Sequence, residues 1–381
     1  MANYIGLMSG TSLDGVDGVL VSFAASNTEP MRVQAHRHHA FPASLKVELL
    51  ALNSRGDDEL HRAALAGNAV ARSYADVVEA LLTASDVTRS EIVAIGAHGQ
   101  TVRHRPGEFD GIGYTLQLNA PALLAELTGI DVVADLRSRD VAAGGLGAPL
   151  VPAFHRAVFA QPGATVAVLN LGGIGNLTVL GVDGRTLGFD CGPGNALMDH
   201  WCEAHTGRAF DAAGAWAASG TVVEPLLTSM LAEPFFAMQP PRSTGRDLFN
   251  AAWLAAHLRP FSGLGLRAKD VQATLAELTA RACADEVEKH AADATRLLVC
   301  GGGALNDELM RRIAVHLPGI AVAPTDRFGL PAMQVEACAF AWLARAFIER
   351  QPGNLTAVTG ARGLRMLGGM YPARAAGEAT V

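Results

Sequence analysis

The chain has 381 residues, half of them hydrophobic and only 18% charged, with a formal net charge of −7. This composition supplies two substantial cores and excludes an intrinsically disordered chain. The acidic balance, without a basic run, argues against a nucleic-acid partner; no secretory leader pattern and no stretch of about 18 apolar residues is present, so a cytoplasmic location with no membrane partner is expected.

The chain opens with Tyr4-Ile-Gly-Leu-Met8 and Gly18-Val-Leu-Val-Ser-Phe23, two apolar runs that read as the strands of a β-hairpin. Between them lies Ser9-Gly-Thr-Ser-Leu-Asp-Gly-Val-Asp17, with two glycines, three hydroxyls and two acids. Small residues let a polyanion approach the backbone, and N–H and hydroxyl groups donate to its oxygens. Ser9, Gly10, Thr11, Ser12, Leu13, Asp14, Gly15, Val16 and Asp17 are therefore candidates for a nucleotide's phosphates, with Asp14 and Asp17 for a hydrated Mg²⁺. The same composition also suits a polar surface turn.

Apolar residues at three and four spacing predict a helix over 58–82, and Glu91-Ile-Val-Ala-Ile-Gly96 predicts a strand. The strand runs into Gly96-Ala-His-Gly-Gln-Thr101, which puts His98 where ligands of α/β sheets gather. A further strand, Asp131-Val-Val-Ala134, precedes Asp135, Arg137 and Asp140. Arginine has the planar fork that matches a carboxylate, so Arg137 is a candidate for an acidic substrate, as is Arg246 further on, though surface ion pairing is the more common fate of such an arginine.

Val166-Ala-Val-Leu-Asn-Leu-Gly-Gly-Ile-Gly-Asn-Leu-Thr-Val-Leu180 repeats the opening layout of strand, Gly-rich polar turn and strand. That echo suggests two similar domains, with Gly172, Gly173 and Asn176 as a second phosphate-binding set. Phe189-Asp-Cys-Gly-Pro-Gly-Asn195 follows, presenting Asp190 ahead of a tight turn. A helix is predicted over 271–292 and a strand over Arg296–Cys300. Gly301, Gly302 and Gly303 then bring close backbone and helix N-terminal N–H groups to a nucleotide. A last helix is predicted over 335–349, with Glu336 in its first turn.

The only lysines are Lys46, Lys269 and Lys289, none in a Gly-rich loop, which excludes a P-loop. Five dispersed cysteines without a Cys-x-x-Cys pair indicate neither a disulfide framework nor a zinc site.

The three Gly-rich turns, in this order, resemble the two phosphate motifs and the adenosine motif of the sugar kinase/heat-shock chaperone/actin superfamily. Within it the chain closely resembles the anhydro-N-acetylmuramic acid kinase family, on Met8–Asp17, Gly96–Thr101, Ala134–Asp140, Gly144–His155, Leu169–Leu177, Gly188–Asn195, Ser243–Arg246, Gln272–Leu275, Cys300–Asn306 and Glu336–Trp342. One departure is the stretch Arg327–Val335, which lacks the acidic pair that members of the family carry before the glutamate.

The resemblance implies an α/β fold of two ribonuclease H-like (actin-like ATPase) domains with an interdomain cleft. Expected boundaries are 1–136 with 356–381 for the first domain and 137–355 for the second. It implies an ATP- and Mg²⁺-dependent enzyme that opens 1,6-anhydro-N-acetylmuramic acid with water and phosphorylates O6, a step of peptidoglycan recycling, and a homodimer. Carried over to this sequence, Asp190 is the catalytic base, Glu336 a second carboxylate near the attacking water, and His98, Asp135, Arg137, Gly192, Gly194 and Asn195 the sugar's surroundings. A kinase of another sugar or carboxylic acid, or a chaperone-like ATPase, shares the fold.

Overall fold

The computed structural model describes residues 1–10, 13–24, 31–245 and 247–373. It forms two units, one of Met1–Phe154 with the segment from Gln334 onward, the other of His155–Met333. Among the described residues the strands are β1 (Ala2–Met8), β2 (Gly15–Phe23), β3 (Arg32–Ala40), β4 (Ile92–Ala97), β5 (Gln100–Pro106), β6 (Gly113–Leu118), β7 (Val132–Ala134), β8 (Val166–Leu171), β9 (Ile174–Leu180), β10 (Thr186–Pro193), β11 (Arg296–Cys300), β12 (Ala321–Pro324) and β13 (Gly369–Tyr371).

In the first unit the main sheet runs β13-β7-β4-β1-β2-β3. β1, β2 and β3 form an antiparallel meander, whereas β4 and β7 run parallel to β1. Such central strands are covered on both faces, which is why β1 and β4 read as near-continuous apolar runs. Helix Glu59–Thr83 covers one face; an added Cβ on Gly18 would lie 2.2 Å from Val77 Cγ1. Helix Val335–Ile348 covers the other, so closely that a Cβ on Gly6 would lie 1.9 Å from the Ala337 carbonyl oxygen. Leu7 pairs with Gly18, and strand alternation puts Gly6 on the opposite face, so the two helices sandwich the sheet.

The units divide after Phe154 and before Gln334, whereas the expected boundaries lie at 136 and 356. Helix Val335–Ile348 belongs to the first unit because it lies on β1 and β4. Residues after 136 belong there because buried Asp140 ties them to the C-terminal segment. Its carboxylate accepts Asn354 Nδ2 at 2.7 Å, Thr359 Oγ1 at 2.8 Å and the Gly147 amide at 2.8 Å.

The second unit's sheet runs β10-β9-β8-β11-β12. β8, β9 and β10 form an antiparallel meander, with β11 and β12 parallel to β8. Strand for strand this repeats β3-β2-β1-β4-β7, so the sequence echo is a repeat of topology. The hairpin β5–β6 is an addition to the first unit that the periodicity does not announce, since its strands mix polar and apolar residues without clean alternation. Among the described residues no helix is long and apolar enough to cross a membrane, and all five cysteines are buried.

Candidate active site

In the first unit β1 delivers the chain to Ser9 and Gly10. Ser9 is 1% exposed, and its hydroxyl belongs to a closed ring of hydrogen bonds. Ser9 Oγ donates to the Gly99 carbonyl at 3.1 Å, and the Gly99 amide donates to Tyr74 Oη at 3.0 Å. Tyr74 Oη is therefore left to donate to Ser9 Oγ, 2.9 Å away. Gln100 Nε2 donates to the Gly10 carbonyl at 3.0 Å, so two turns are stitched together by side chains from 74, 98 and 100.

Several residues of the expected nucleotide turn have their side chains engaged within the protein. Ser9's hydroxyl is committed to Tyr74 and Gly99. Leu13 and Val16 are core residues, 3% and 0% exposed. Gly15 is required by packing, since its Cβ would lie 2.2 Å from the His39 carbonyl oxygen. Asp17 sits directly across the ladder from His38, and its Oδ1 is shared by His38 Nδ1 at 3.1 Å and His36 Nε2 at 3.3 Å. Thr11 and Ser12 lie outside the described residues, as does Arg246. Gly10 keeps partial exposure, and the 64% exposed Asp14 side chain pairs with Lys46 at 3.2 Å.

His98 and Arg137 form a second cluster of this unit. His98 is 4% exposed, with its ring 4.6 Å from that of Phe340. Its Nδ1 lies 3.2 Å from the Ser9 carbonyl oxygen, and its Nε2 lies 3.1 Å from Arg137 Nε and 2.9 Å from Arg137 Nη2. Arg137 Nη1 donates to the Gly147 carbonyl at 2.8 Å. Burial lowers the Arg137 pKa to about 10, partly offset by the charge of Glu336 and then of Asp140. Burial, then the Arg137 charge, holds His98 well below the ordinary histidine range and His104 at about 4. Both ring nitrogens of His98 thus face protein groups. Asp135, exposed with φ 55°, accepts Ser138 Oγ at 2.5 Å, a local turn contact at the start of the short helix Ser138–Ala142.

In the second unit the cross-strand register assembles a polar row. Cys300, Asn170, Asn176 and Asp190 are successive partners on β11, β8, β9 and β10, so their side chains share one face. Asn170 lies within the repeated strand-turn-strand segment but is not among the candidate site residues; the register places it in this row. Asp190 Oδ2 accepts Ser243 Oγ and the Thr244 amide, each at 2.9 Å. Burial pushes its pKa up to about 6, against the Thr244 amide, the Ser243 hydroxyl and the Arg242 charge. Arg242 Nε donates to the Asp190 carbonyl at 3.0 Å. Its guanidinium lies over Phe235 at 4.8 Å and Phe189 at 5.4 Å, and 3.2 Å from Glu286 Oε2, an ion pair without hydrogen-bond alignment.

Three turns meet beside this row. The Gly194 amide donates to the Gly173 carbonyl at 3.0 Å and the Asn195 amide to Gly172 at 2.8 Å. Asn195 Nδ2 donates to the Leu171 carbonyl at 3.0 Å, which ties the two turns together. Gly192 and Gly194 are likewise packing glycines, since added Cβ atoms would lie 2.7 Å from Phe236 Cε1 and 2.3 Å from the Gly172 carbonyl oxygen. Gly301 and Gly303 are blocked too, by Asn170 Oδ1 at 2.6 Å and Leu171 Cβ at 2.4 Å. Gly172 and Gly302 differ. The nearest protein atoms to their added Cβ atoms are 3.8 and 3.5 Å away, ordinary contact distances, so the fold leaves room there.

Among the described residues no group of three or more His, Cys, Asp or Glu side chains could hold a metal.

A duplicated five-strand order, with Gly-rich turns at the strand ends, defines a protein of the two-domain, ribonuclease H-like class. The model of the family "Anhydro-N-acetylmuramic acid kinase" matches residues 2–373. The anhydro-N-acetylmuramic acid kinase of Variovorax paradoxus (strain S110) is 61% identical over 375 residues, covering 97% of this chain and 99% of the relative. That of Albidiferax ferrireducens (strain ATCC BAA-621 / DSM 15236 / T118) is 57% identical over 390 residues with the same coverage. That of Bordetella pertussis (strain Tohama I / ATCC BAA-589 / NCTC 13251) is 56% identical over 371 residues, covering 97% and 96%. The chain belongs to the anhydro-N-acetylmuramic acid kinase family, and its activity is that of an ATP-dependent kinase in peptidoglycan recycling.

Proposed function

We propose that Asp190 is the general base of a reaction in which water opens 1,6-anhydro-N-acetylmuramic acid while O6 is phosphorylated. The observation that carries this is the Asp190 carboxylate itself. It is raised to about 6, fixed by two donors, and set in a row with Asn170 and Asn176 beside the Gly172 and Gly302 turns. A base is most effective when its pKa lies near the working pH, ionised yet still able to take a proton. Because the anhydro bridge joins C1 to O6, no free hydroxyl exists at O6 before the bridge opens. Asp190 takes a proton from water as its oxygen bonds C1; the C1–O6 bond breaks, O6 bonds the γ-phosphorus, and ADP leaves.

Gly10, Gly172, Gly173, Asn176 and Gly302 are the backbone and side-chain groups assigned to the triphosphate, supported by the room left at Gly172 and Gly302. Arg137 is assigned to the sugar's lactyl carboxylate, with Glu336 as the second carboxylate whose charge bears on Arg137. Mg²⁺ would neutralise charge on the β- and γ-phosphates. Asp14 fits as its holder, because its exposed pairing with Lys46 is the exchangeable surface kind. Asp17 does not fit, being shared by two histidines. A cytoplasmic homodimer is part of the same reading, on the strength of the family resemblance.

Asp190→Asn is expected to abolish sugar phosphorylation, by about 10²–10⁴-fold, with nucleotide binding retained. In ¹⁸O-water the product is expected to carry one heavy oxygen on the sugar and none on the phosphate. Turnover within about tenfold of wild type would remove Asp190 from the role.

A further inference from the structure

The Ser9 carbonyl oxygen can only accept a hydrogen bond, so the His98 Nδ1 facing it carries the proton. The Arg137 guanidinium can only donate, so the His98 Nε2 facing it is bare. Both partners are internal to one unit, and the ring is pinned against Phe340. A second proton on His98 would point at two N–H groups of a cation. The tautomer is therefore set by geometry.

We infer that His98 is a positioning residue, a neutral imidazole whose Nε2 lone pair fixes the Arg137 guanidinium while its Nδ1–H holds the Ser9–Gly10 turn. Arginine has five N–H donors. Three of them go to His98 and the Gly147 carbonyl, which settles both the plane and the rotation of the fork. The two others are those that meet a carboxylate. Asp140 backs the arrangement from the far side, since its Oδ2 accepts the Gly147 amide at 2.8 Å. One imidazole thereby links the turn assigned to phosphate with the arginine assigned to sugar. This rests on the assignment of Arg137 to the sugar carboxylate.

Two isosteric variants separate the two ends of the ring. His98→Asn places an amide N–H near the Nδ1 position and removes the acceptor for Arg137. His98→Gln places an amide oxygen near the Nε2 position and removes the donor to Ser9. With full-length enzyme, His98→Asn is expected to raise KM for the anhydro sugar about tenfold or more while KM for ATP stays within about threefold, as loss of a buried bond to a charged group implies. His98→Gln is expected to do the reverse. Long-range ¹H–¹⁵N spectra of histidine-labelled wild type are expected to show a neutral, Nδ1-protonated ring from about pH 5 to 8.

An Nε2-protonated or titrating ring overturns the inference, as does a pair of variants that move both KM values together. Arg137→Ala distinguishes this from failure of the underlying assignment. An unchanged sugar KM in Arg137→Ala, with the tautomer as expected, refutes the sugar role of Arg137 alone. A raised sugar KM there, with none in His98→Asn, overturns the clamp.

Discussion

Ser243→Ala tests the claim that two donors and burial together set the basicity of Asp190. The Ser243 hydroxyl donates to Oδ2 at 2.9 Å, which stabilises the ionised form, and the Thr244 amide remains after the substitution. A hydrogen bond to a charged group is worth about 1.5–3 kcal/mol, and the low end applies where the donor is exposed, as Ser243 is. That corresponds to about one pKa unit, moving Asp190 from about 6 to about 7. Ionised fractions then give kcat/KM losses of about eightfold near pH 5.5, about threefold near pH 6.5, and none near pH 8.5. The assay is coupled ADP release with the anhydro sugar across that range. An acid limb that stays in place, or a loss that is uniform in pH, refutes the reasoning. The same shift has a stability consequence with a definite sign. Asp190's folded pKa is raised above the unfolded value of 3.8, so its contribution is most favourable at low pH and is lost as pH rises through about 6. Asp190→Asn is therefore expected to unfold at a higher temperature than wild type near pH 8, by an amount of order 3 kcal/mol, while its activity is gone.

Gly172→Ala and Gly302→Ala are expected to leave the melting temperature within about 2 °C, because the fold has room for the methyl, but to raise KM for ATP about tenfold or more. Gly301→Ala, held at φ 79° against Asn170 and Leu171, is the internal contrast; its melting temperature is expected to fall by about 4 °C or more. Equal ATP KM values in wild type and Gly172→Ala would remove that turn from the nucleotide site. Asp14→Asn is expected to raise the Mg²⁺ concentration for half-maximal rate about tenfold, whereas Asp17→Asn moves it less than about twofold; the opposite order would reverse the two assignments.

Much of the fold is legible in the sequence because its determinants are local. The helices over 59–83, 268–290 and 335–348 follow from apolar spacing, and β11 from an uninterrupted apolar run between turns. The domain boundary is not legible, because it depends on contacts far apart in sequence. Asp140 meets Asn354 and Thr359 more than two hundred residues later, and Gly6 and Gly96 accept Ala337 and Phe340 across the sheet. A single glycine letter does not say which neighbour requires it. That ambiguity also divides the candidate site. Gly15, Gly192, Gly194, Gly301 and Gly303 are glycines that the protein's own packing demands, whereas Gly172 and Gly302 are not. Motif reading gives all seven the same weight. His98 and Asn195 are polar residues in distinctive motifs, yet both ring nitrogens of His98 and the Asn195 amide nitrogen face protein groups. Tyr74 carries no motif and is found only through ring closure, and Asn170, inside a motif but not singled out there, only through register.

The duplicated topology bears on why the proposed base lies on the second unit. In the first unit the row across the meander is Met8, Asp17 and His38; in the second it is Asn170, Asn176 and Asp190. The same three strands present their side chains in the same way, so the chemistry is decided by what stands in the middle and at the end. An acid in the middle, with histidines at 36 and 38 around it, makes a cluster in which both rings share one carboxylate oxygen. A neutral amide in the middle supplies no opposing charge to its cross-strand partner. Asp190 is left with a hydroxyl, a backbone amide and a cation set back on its carbonyl side, which offset desolvation only in part. The result is a carboxylate poised near neutrality, on the unit where Gly172 and Gly302 leave open backbone beside it.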